Sequence, residues 1–240
     1  MPRSSPSSRA IQTAVVLVSG GLDSCVAAAL ARRDAGSLAF LHVNYRQRTQ
    51  ARELEAFHQV AAHFGVERRL VVDIDYLRQI GGSSLTDPAL PVPDAREAGG
   101  GVPSTYVPFR NANLLAIGVA WAETLGADAV YLGIHAEGSL YPDCRPGFVD
   151  AFNAMVEAGT RPGTAIRVCA PLIAMDKEQV VRRGLELDAP LGLTWSCYQR
   201  EDRPCGSCHS CQLRRRGFAA AGIADPALAS LRTCSGAEKP

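Results

Sequence analysis

The stretch VVLVSGGLDSCVAAALARR, from Val15 to Arg33, joins an apolar run to a helix-like pattern through a turn with two adjacent glycines. Glycine permits positive φ and lets the backbone approach an anion closely. The N–H groups of such a turn, and of the first helical turn behind it, point at one spot. Ser19 and Ser24 add hydroxyl donors, and Asp23 would cap the helix or lie near a metal that accompanies phosphates. The stretch predicts either a plain capped turn or a pocket for the phosphates of a nucleotide.

The rest of the chain alternates strand-like and helix-like segments, as judged from β-branched apolar runs and from apolar residues at helical spacing. The predicted strands are Ala14–Val18, Leu38–Tyr45, Glu67–Asp75, Ala129–Ile134 and Ile166–Leu172. The predicted helices are Asp23–Arg33, Gln50–Phe64, Asn111–Leu125, Phe148–Ala158 and a segment from an Asp176 cap to Leu187. This order implies βαβ units, and hence an α/β fold with a parallel sheet flanked by helices.

Loops at the carboxyl ends of the strands are where such sheets bind ligands. In this chain they follow residues 18, 43, 75 and 134. The longest, from residue 76 to about 105, is rich in Gly, Pro, Ser and Asp, which is typical of a functional lid or a disordered loop.

Four of the eight cysteines are clustered near the C-terminus. Cys197, Cys205, Cys208 and Cys211 have the spacing Cys-x7-Cys-x2-Cys-x2-Cys, and four thiolates so placed can surround one Zn²⁺ tetrahedrally. Four sulfurs complete the shell of a structural site, so we expect one zinc ion per chain that holds the C-terminal segment in place. The spacing leaves open an iron–sulfur cluster, a redox dithiol, free buried thiols, and replacement of one thiolate by His209.

Composition narrows the class of protein further. Hydrophobic residues make up 47% and charged residues 20% of the chain, as in globular proteins. The net charge of +1 gives no electrostatic reason for a nucleic-acid or membrane partner, and the one basic run is Arg214 to Arg216. There is no apolar run of membrane-spanning length and no signal-peptide core. We therefore expect a cytoplasmic protein with a flexible tail over residues 1–10 and neither membrane nor nucleic-acid partners.

The hexad from Ser19 to Ser24 resembles the PP-loop of ATP pyrophosphatases, which use ATP to activate an oxygen for attack by nitrogen or sulfur. Further stretches resemble the 7-cyano-7-deazaguanine synthase family of queuosine biosynthesis, within the same superfamily. They are NYRQR (44–48), SSLTD (83–87), VPSTYVPFRN (102–111), YPDCRPGFVDAFN (141–153), LTWSCYQ (193–199) and PCGSCHSCQLRRRGF (204–218). The resemblance implies a Rossmann-like PP-loop domain over residues 11–190 and a zinc-binding segment over residues 191–240.

The resemblance also implies a reaction. 7-Carboxy-7-deazaguanine, ammonia and ATP with Mg²⁺ would give 7-cyano-7-deazaguanine through an activated carboxylate, an amide and its dehydration. The family further implies a homodimer. A related enzyme that applies the same ATP chemistry to another deazaguanine or to a macromolecular target is an alternative, as is a PP-loop enzyme that modifies tRNA.

These motifs carry the candidate site residues. The expected ATP contacts are Val18, Ser19, Gly20, Gly21, Leu22, Asp23, Ser24 and Cys25. We expect Asp23, Ser24 and Arg110 to act in catalysis, with Arg110 contacting phosphates or stabilising developing charge. The expected contacts of the deazaguanine are Gln47, Arg48, Glu137, Tyr141, Asp143 and Arg145. A guanine-like edge needs a carboxylate that accepts from N1–H and the exocyclic amine, which Asp143 or Glu137 would supply; Cys144 is expected to pack at the pocket.

The chain departs from the family pattern where substrate would bind. Phe109 and Arg46 replace glycines of the family motifs. The loop over residues 133–144 is one residue shorter than the family version and lacks its Asp–aromatic pair, for which Glu137 would substitute. These departures concern the identity of the substrate and leave the expected ATP and metal sites intact.

Overall fold

A computed structural model describes residues 10–95, 101–135 and 141–228 of the chain. Its strands are β1 (Ile11–Leu17), β2 (Ala35–Asn44), β3 (Arg69–Asp73), β4 (Ala129–Leu132) and β5 (Arg167–Cys169). Its α-helices are α1 (Leu22–Asp34), α2 (Gln50–His63), α3 (Tyr76–Ile80), α4 (Arg110–Leu125), α5 (Pro146–Gly159), α6 (Lys177–Glu186) and α7 (His209–Ala220). Residues 1–9 of the predicted tail lie outside the described residues.

The strands form one parallel sheet in the order β3-β2-β1-β4-β5. The predicted α/β fold is therefore confirmed. The chain builds outward from β1 to β3 and then returns to add β4 on the other side of β1. The strand order thus reverses between β1 and β4, and open parallel sheets bind ligands at such a point.

Side chains of β1 alternate between two hydrophobic cores. Ala14 and Val16 pack in a core with α1, α2 and α6 on one face of the sheet. Val15 and Leu17 pack in a second core with α4 and α5 on the other face. Because both faces are covered, the strand is an uninterrupted apolar run in the sequence.

Two helices are not predicted by the sequence patterns. α3 lies in the stretch predicted to be a long loop, and its five residues are too few to show helical periodicity. The buried side of α7 consists of Cys211, Arg214, Gly217 and Phe218. The arginine and the glycine interrupt the apolar periodicity from which a helix is predicted. In contrast, the predicted Asp176 cap of α6 is confirmed as a reciprocal capping box with Gln179.

Across the described ranges, no helix combines the length and the apolar character that crossing a membrane requires.

Close backbone packing joins the end of β4 to the start of α1. A Cβ placed on Gly133 would lie 2.6 Å from the carbonyl carbon and oxygen of Asp23 and from the nitrogen of Ser24. Glycine is required here for space and not for its backbone angle. The turn after β1 is therefore positioned partly by a strand more than a hundred residues away in sequence.

We predict that Gly133→Ala lowers the free energy of unfolding by about 1–3 kcal/mol, because the added methyl group overpacks rigid backbone. Gly147→Ala is the matched control, since a Cβ there meets nothing within 4 Å. The control should leave stability unchanged or raise it by up to about 1 kcal/mol, as alanine favours helix. Urea unfolding followed by circular dichroism measures both, and equal effects would contradict the packing argument.

Candidate active site

A cleft of about 260 Å³ opens at the carboxyl ends of β1, β2 and β4. It is lined by the turn after β1, the loop after β2, the first turn of α4, the residues after β4 and the first residue of α6. Parts of the long loop (Leu85, Pro93 to Ala95) and of the C-terminal segment, here residues 191–228, complete the lining. The cleft therefore lies where the strand order predicts a ligand site.

The turn from Ser19 to Ser24, hereafter the glycine turn, is held by its own hydroxyl groups. Ser24 Oγ donates to the carbonyl of Gly21 at 3.0 Å and accepts from the N–H of Ser19 at 3.2 Å. Gly20 has a φ of 85°, and a Cβ there would lie 2.3 Å from a backbone oxygen of α2. α1 begins at Leu22 without a side-chain cap, so its first N–H groups are available to an anion.

Most residues predicted to contact ATP line this cleft, namely Val18, Ser19, Gly21, Leu22, Asp23 and Ser24. Gly20 and Cys25 are not among the lining residues. The Gly20 carbonyl accepts a hydrogen bond from the N–H of Trp195 at 2.8 Å. Burial raises the pKa of the Cys25 thiol to about 12, so this thiol stays protonated at neutral pH. Contact with ATP stays a prediction for all of these residues.

Asp23 is paired with two bases at the mouth of the glycine turn. Lys177 Nζ lies 2.6 Å from one carboxylate oxygen, and His135 Nε2 lies 3.7 Å from the other. Burial by itself would raise the pKa of Asp23, but Lys177 and His135 outweigh it and the pKa is lowered. Lys177 packs closely on α7, because a Cβ on Gly217 would lie only 2.5 Å from Lys177 Cγ. A cation from α6 thus stands beside the predicted phosphate pocket.

Arg110 lines the cleft from the first turn of α4. Its Nη1 donates to the hydroxyl of Tyr45 at 3.0 Å, and the guanidinium lies 5.5 Å from the centroid of the Tyr45 ring. Its Nε is buried, and within the part of the chain that the structure describes no atom accepts a hydrogen bond from it. Buried polar groups are nearly always paired, so an unpaired N–H at a cleft is suited to a ligand acceptor.

Both positions where the chain replaces a family glycine have positive φ. Phe109 has a φ of 55° and Arg46 a φ of 65°. The Phe109 side chain is exposed, and the Arg46 guanidinium pairs with Asp75 at the surface. The backbone therefore keeps the left-handed conformation that glycine adopts most easily, and both side chains are accommodated at the surface.

Gln47, Arg48 and Tyr141 of the predicted substrate residues line the cleft. Arg48 donates to the carbonyls of Ser84 and Asp87 at 2.6 and 2.8 Å, so its guanidinium holds the long loop in place. The hydroxyl of Tyr141 lies 2.6 Å from that of Thr105. Their contact with substrate stays a prediction.

Asp143 and Arg145 do not belong to the described lining of the cleft. Asp143 is buried, and its Oδ2 accepts from the N–H of Asn111 at 2.9 Å. Arg145 is exposed at the start of α5. Asn111 also donates its side-chain amide toward the buried Cys144 sulfur, at 3.4 Å. These contacts position the first turn of α4. Glu137 lies outside the described residues.

The C-terminal segment is docked on the glycine turn through a buried arginine. Arg214 donates to both oxygens of Asp225, at 2.6 and 2.9 Å, and to the Thr194 hydroxyl at 2.7 Å. Next to this threonine, the N–H of Trp195 reaches Gly20. Arg214 is only 7% exposed, so it does not contribute to a basic surface. Of the run Arg214 to Arg216, only Arg215 and Arg216 are exposed to solvent.

The clustered cysteines meet the requirements of a metal site. The sulfur atoms of Cys197, Cys205, Cys208 and Cys211 all lie within 4.8 Å of one another, and those of Cys205 and Cys211 are 3.9 Å apart. Tetrahedral Zn–S bonds of about 2.3 Å place sulfurs about 3.8 Å apart, so the donor set fits. The N–H groups of Gln199 and Cys205 donate to the Cys197 sulfur at 3.4 and 3.3 Å, as expected around a thiolate ligand. His209 is not part of this group of ligands.

The lining includes residues to which the sequence analysis gave no site role, among them His135, Lys177, Trp195 and Glu53. His135 follows β4, so it could have been predicted from the rule that parallel sheets bind ligands at the carboxyl ends of their strands. Lys177 directly follows the Asp176 cap, but the cap predicts a helix start and says nothing of what lies beside it. Trp195 lies within a stretch that resembles the family and Glu53 lies shortly after another, but the motifs do not say which of their side chains reach the cleft, because tertiary packing decides that.

The fold and the cleft define a class: doubly wound α/β proteins with a ligand site beyond the carboxyl ends of their strands. A family model described as queuosine biosynthesis protein QueC matches residues 13–222. The chain belongs to this family, and the resemblance seen in the motifs is confirmed. It is 54% identical over 214 residues to the 7-cyano-7-deazaguanine synthases of Chlorobaculum parvum and Chlorobaculum tepidum, with 89% of this chain and 94% of each relative covered. Among solved structures it is similar to a 4-thiouridine synthetase–RNA complex with bound ATP, with a TM-score of 0.48 and 19% identity over 95% of this chain and 54% of the other.

We predict that the purified protein holds about one metal ion per chain and that Cys208→Ser loses most of it, because three thiolates leave the shell open. Cys169→Ser is the control, since Cys169 lies on β5 away from the cluster. Elemental analysis after gel filtration measures both variants. Unchanged metal content in Cys208→Ser would contradict the four-thiolate site.

The Asp23 pair predicts a pH dependence of stability. The pKa of Asp23 is lower in the folded protein than its ordinary value of 3.8, so the unfolded chain takes up the proton first as pH falls. The stabilisation by ionised Asp23 is present above that ordinary value and is lost as pH falls through the folded-state pKa. Below pH 3.8 the free energy of unfolding should therefore fall more steeply for the wild type than for Asp23→Asn. Parallel pH profiles of the two in urea titrations would contradict this, and the exposed Asp150→Asn serves as control.

Proposed function

We propose that this protein is an ATP-dependent ligase that converts 7-carboxy-7-deazaguanine and ammonia to 7-cyano-7-deazaguanine in queuosine biosynthesis. The observation that carries the proposal is membership of the QueC family across residues 13–222. The relatives at 54% identity, which are 7-cyano-7-deazaguanine synthases, support it, as does a cleft that the glycine turn and Arg110 both line.

The reaction replaces both oxygens of a carboxylate by one nitrogen. A carboxylate oxygen first attacks ATP, with transfer of an adenylyl or phosphoryl group, and the mixed anhydride carries a good leaving group. Ammonia then displaces the activated oxygen and gives the primary amide. A second ATP activates the amide oxygen in the same way. Loss of that oxygen with its phosphorus group, and of the two nitrogen-bound protons, leaves the nitrile.

Bringing a carboxylate to a polyphosphate is the main physical difficulty, because both are anions. Donors fixed in place before the reaction reduce this repulsion at no reorganisation cost. The open N–H groups at the start of α1 and the hydroxyl of Ser24 would hold phosphate oxygens. Arg110, with its unpaired Nε, would donate to the carboxylate or to the charge that develops on the transferred group. Asp23 is the carboxylate in the glycine turn, and it would hold the Mg²⁺ that accompanies ATP.

Lys177 would supply a further positive charge at this site. It neutralises Asp23 in the structure. If Asp23 held the Mg²⁺ that accompanies ATP, the metal would take over this neutralisation and the charge of Lys177 would be available to the phosphates. Free Asp23 and free Lys177 would each be costly in a half-buried site, and their pairing lowers that cost.

The identity of the metal, the cellular compartment and the oligomeric state are also part of the proposal. The metal of the cysteine cluster is zinc, because four sulfur donors in a tetrahedron suit it and leave no open position for catalysis. The enzyme acts in the cytoplasm, where ATP is supplied and thiols stay reduced. A homodimer stays a prediction, which light scattering on the purified protein checks.

We predict that purified protein incubated with ATP, Mg²⁺, ammonium and 7-carboxy-7-deazaguanine yields the amide and then the nitrile, as followed by mass spectrometry. Asp23→Ala should reduce turnover by at least about a hundredfold, since it removes the metal-binding charge of the glycine turn. Asp150→Ala, at an exposed position on α5, should retain full activity.

The products also decide between alternatives. Amide without nitrile would indicate a related enzyme that stops after the first activation. Absence of both products from protein that binds ATP and holds its metal would overturn the substrate assignment and leave the fold and the ATP site standing.

A further inference from the structure

Glu53 on α2 lines the cleft and has no role in the reaction described above. Its Oε1 accepts from the Thr49 hydroxyl at 2.7 Å, and its Oε2 accepts from the Gln47 side-chain amide at 3.1 Å. A carboxylate oxygen can accept two hydrogen bonds, so each oxygen keeps further acceptor capacity. The Glu53 carboxylate is thus held in one orientation and can still accept further hydrogen bonds.

The described lining of the cleft contains three acidic side chains, and their surroundings differ. Asp23 is neutralised by Lys177. Asp94 is exposed to solvent. Glu53 is partly buried and its two side-chain hydrogen-bond partners are neutral, so each of its oxygens is open to a ligand donor. Burial is the main influence on this carboxyl and raises its pKa, while Thr49, Gln47 and the positive charge of Arg110 in the same cleft act in the opposite direction.

Arg110 provides the complementary charge in the same cleft. Its side-chain hydrogen-bond partners are the Tyr45 hydroxyl and the Asn111 amide oxygen, both neutral, and no described residue accepts from its Nε. The cleft therefore presents an anion and a cation that hydrogen-bond to neutral groups, and the two charges also attract each other. A ligand that carries an acceptor at one end and donors at the other would satisfy both.

A 7-carboxylated deazaguanine has this distribution of polar groups. Its carboxylate and O6 lie on one side of the fused rings, and N1–H and the 2-amino group lie on the other. We infer that Glu53 accepts hydrogen bonds from N1–H and the 2-amino group, while Arg110 faces the carboxylate side. Two adjacent donors match a carboxylate in the bidentate manner. The inference rests on the proposed function and names the residue that makes the site specific for a 2-aminopurine-type edge.

The position of Asp143 favours Glu53 for this role. The Asp143 carboxylate is directed at the N–H of Asn111 and lies outside the described lining of the cleft. It acts on the start of α4, whereas Glu53 is in the cleft itself. Glu53 also belongs to the turn of α2 whose backbone packs on Gly20, so a base held there would lie near the glycine turn and its ATP.

The test compares two ligands on two proteins by calorimetry. The ligands are 7-carboxy-7-deazaguanine and the analogue that lacks the 2-amino group. The wild type should bind the amino compound about 10–100-fold more tightly, because the analogue lacks one of the two donors to a charged, partly buried carboxylate. In Glu53→Gln this preference should fall to within about threefold, and the affinity for ATP should stay unchanged. Glu55→Gln is the matched control, since Glu55 lies on the same helix, is exposed and pairs with Arg52.

A purely structural role for Glu53 predicts a different result. In that case Glu53→Gln would weaken both ligands equally and keep the preference, which overturns the inference. Loss of ATP affinity instead would assign Glu53 to the adenine and also overturn it. If Glu53→Gln does not fold, Glu53→Asp, which keeps the carboxylate, should retain part of the preference.

Binding of the two bases to the wild type distinguishes failure of this inference from failure of the proposed function. Tight binding of the carboxylated base without a preference for the 2-amino group overturns the inference alone. Failure of the wild type to bind either base, while it binds ATP, overturns the proposed function and the inference with it.

Discussion

The hydrogen bond from the N–H of Trp195 to the carbonyl of Gly20 is the contact on which the geometry of the site depends. It joins the C-terminal segment to the glycine turn at 2.8 Å. On its other side, Gly20 lies so close to a backbone oxygen of α2 that no side chain fits. The turn is therefore held between two elements that are remote from it in sequence. The cysteine cluster and the buried Arg214–Asp225 pair keep the segment rigid enough to make this contact.

Three charged side chains of the cleft lie at the starts of helices. Lys177 is the first residue of α6, Arg110 is the first residue of α4, and Asp23 lies in the first turn of α1. Helix starts at the carboxyl ends of parallel strands converge, so side chains far apart in sequence meet at one place. Pairing with Lys177 lowers the cost of burying Asp23, while the described side-chain hydrogen-bond partners of Arg110 and Glu53 are neutral.

Sequence patterns predicted the sheet well, because the strands β1, β2 and β4 contain apolar runs that are buried on both faces. They also predicted the cysteine cluster and most of the glycine-turn residues that line the cleft. They failed for α7, whose buried stripe includes Arg214, a residue expected on a surface. Arg214 is buried because Asp225 and Thr194 satisfy its donors, and neither partner is signalled by a local pattern. The contact of Asp143 with a ligand stays a prediction, and in the structure its carboxylate accepts from the backbone N–H of Asn111.

The sequence by itself determined the order of strands and helices, the glycine turn after β1, the four thiolates and the family, because each depends on residue types at short spacings. Only the tertiary structure decided which side chains share the cleft. Lys177 reaches Asp23 across 154 residues, and Glu53 and Arg110 line the same cleft although α2 and α4 are well separated in the chain. The physical reason is that packing of helices on a parallel sheet determines which loops meet, while local spacing specifies only what each loop can do once it is there.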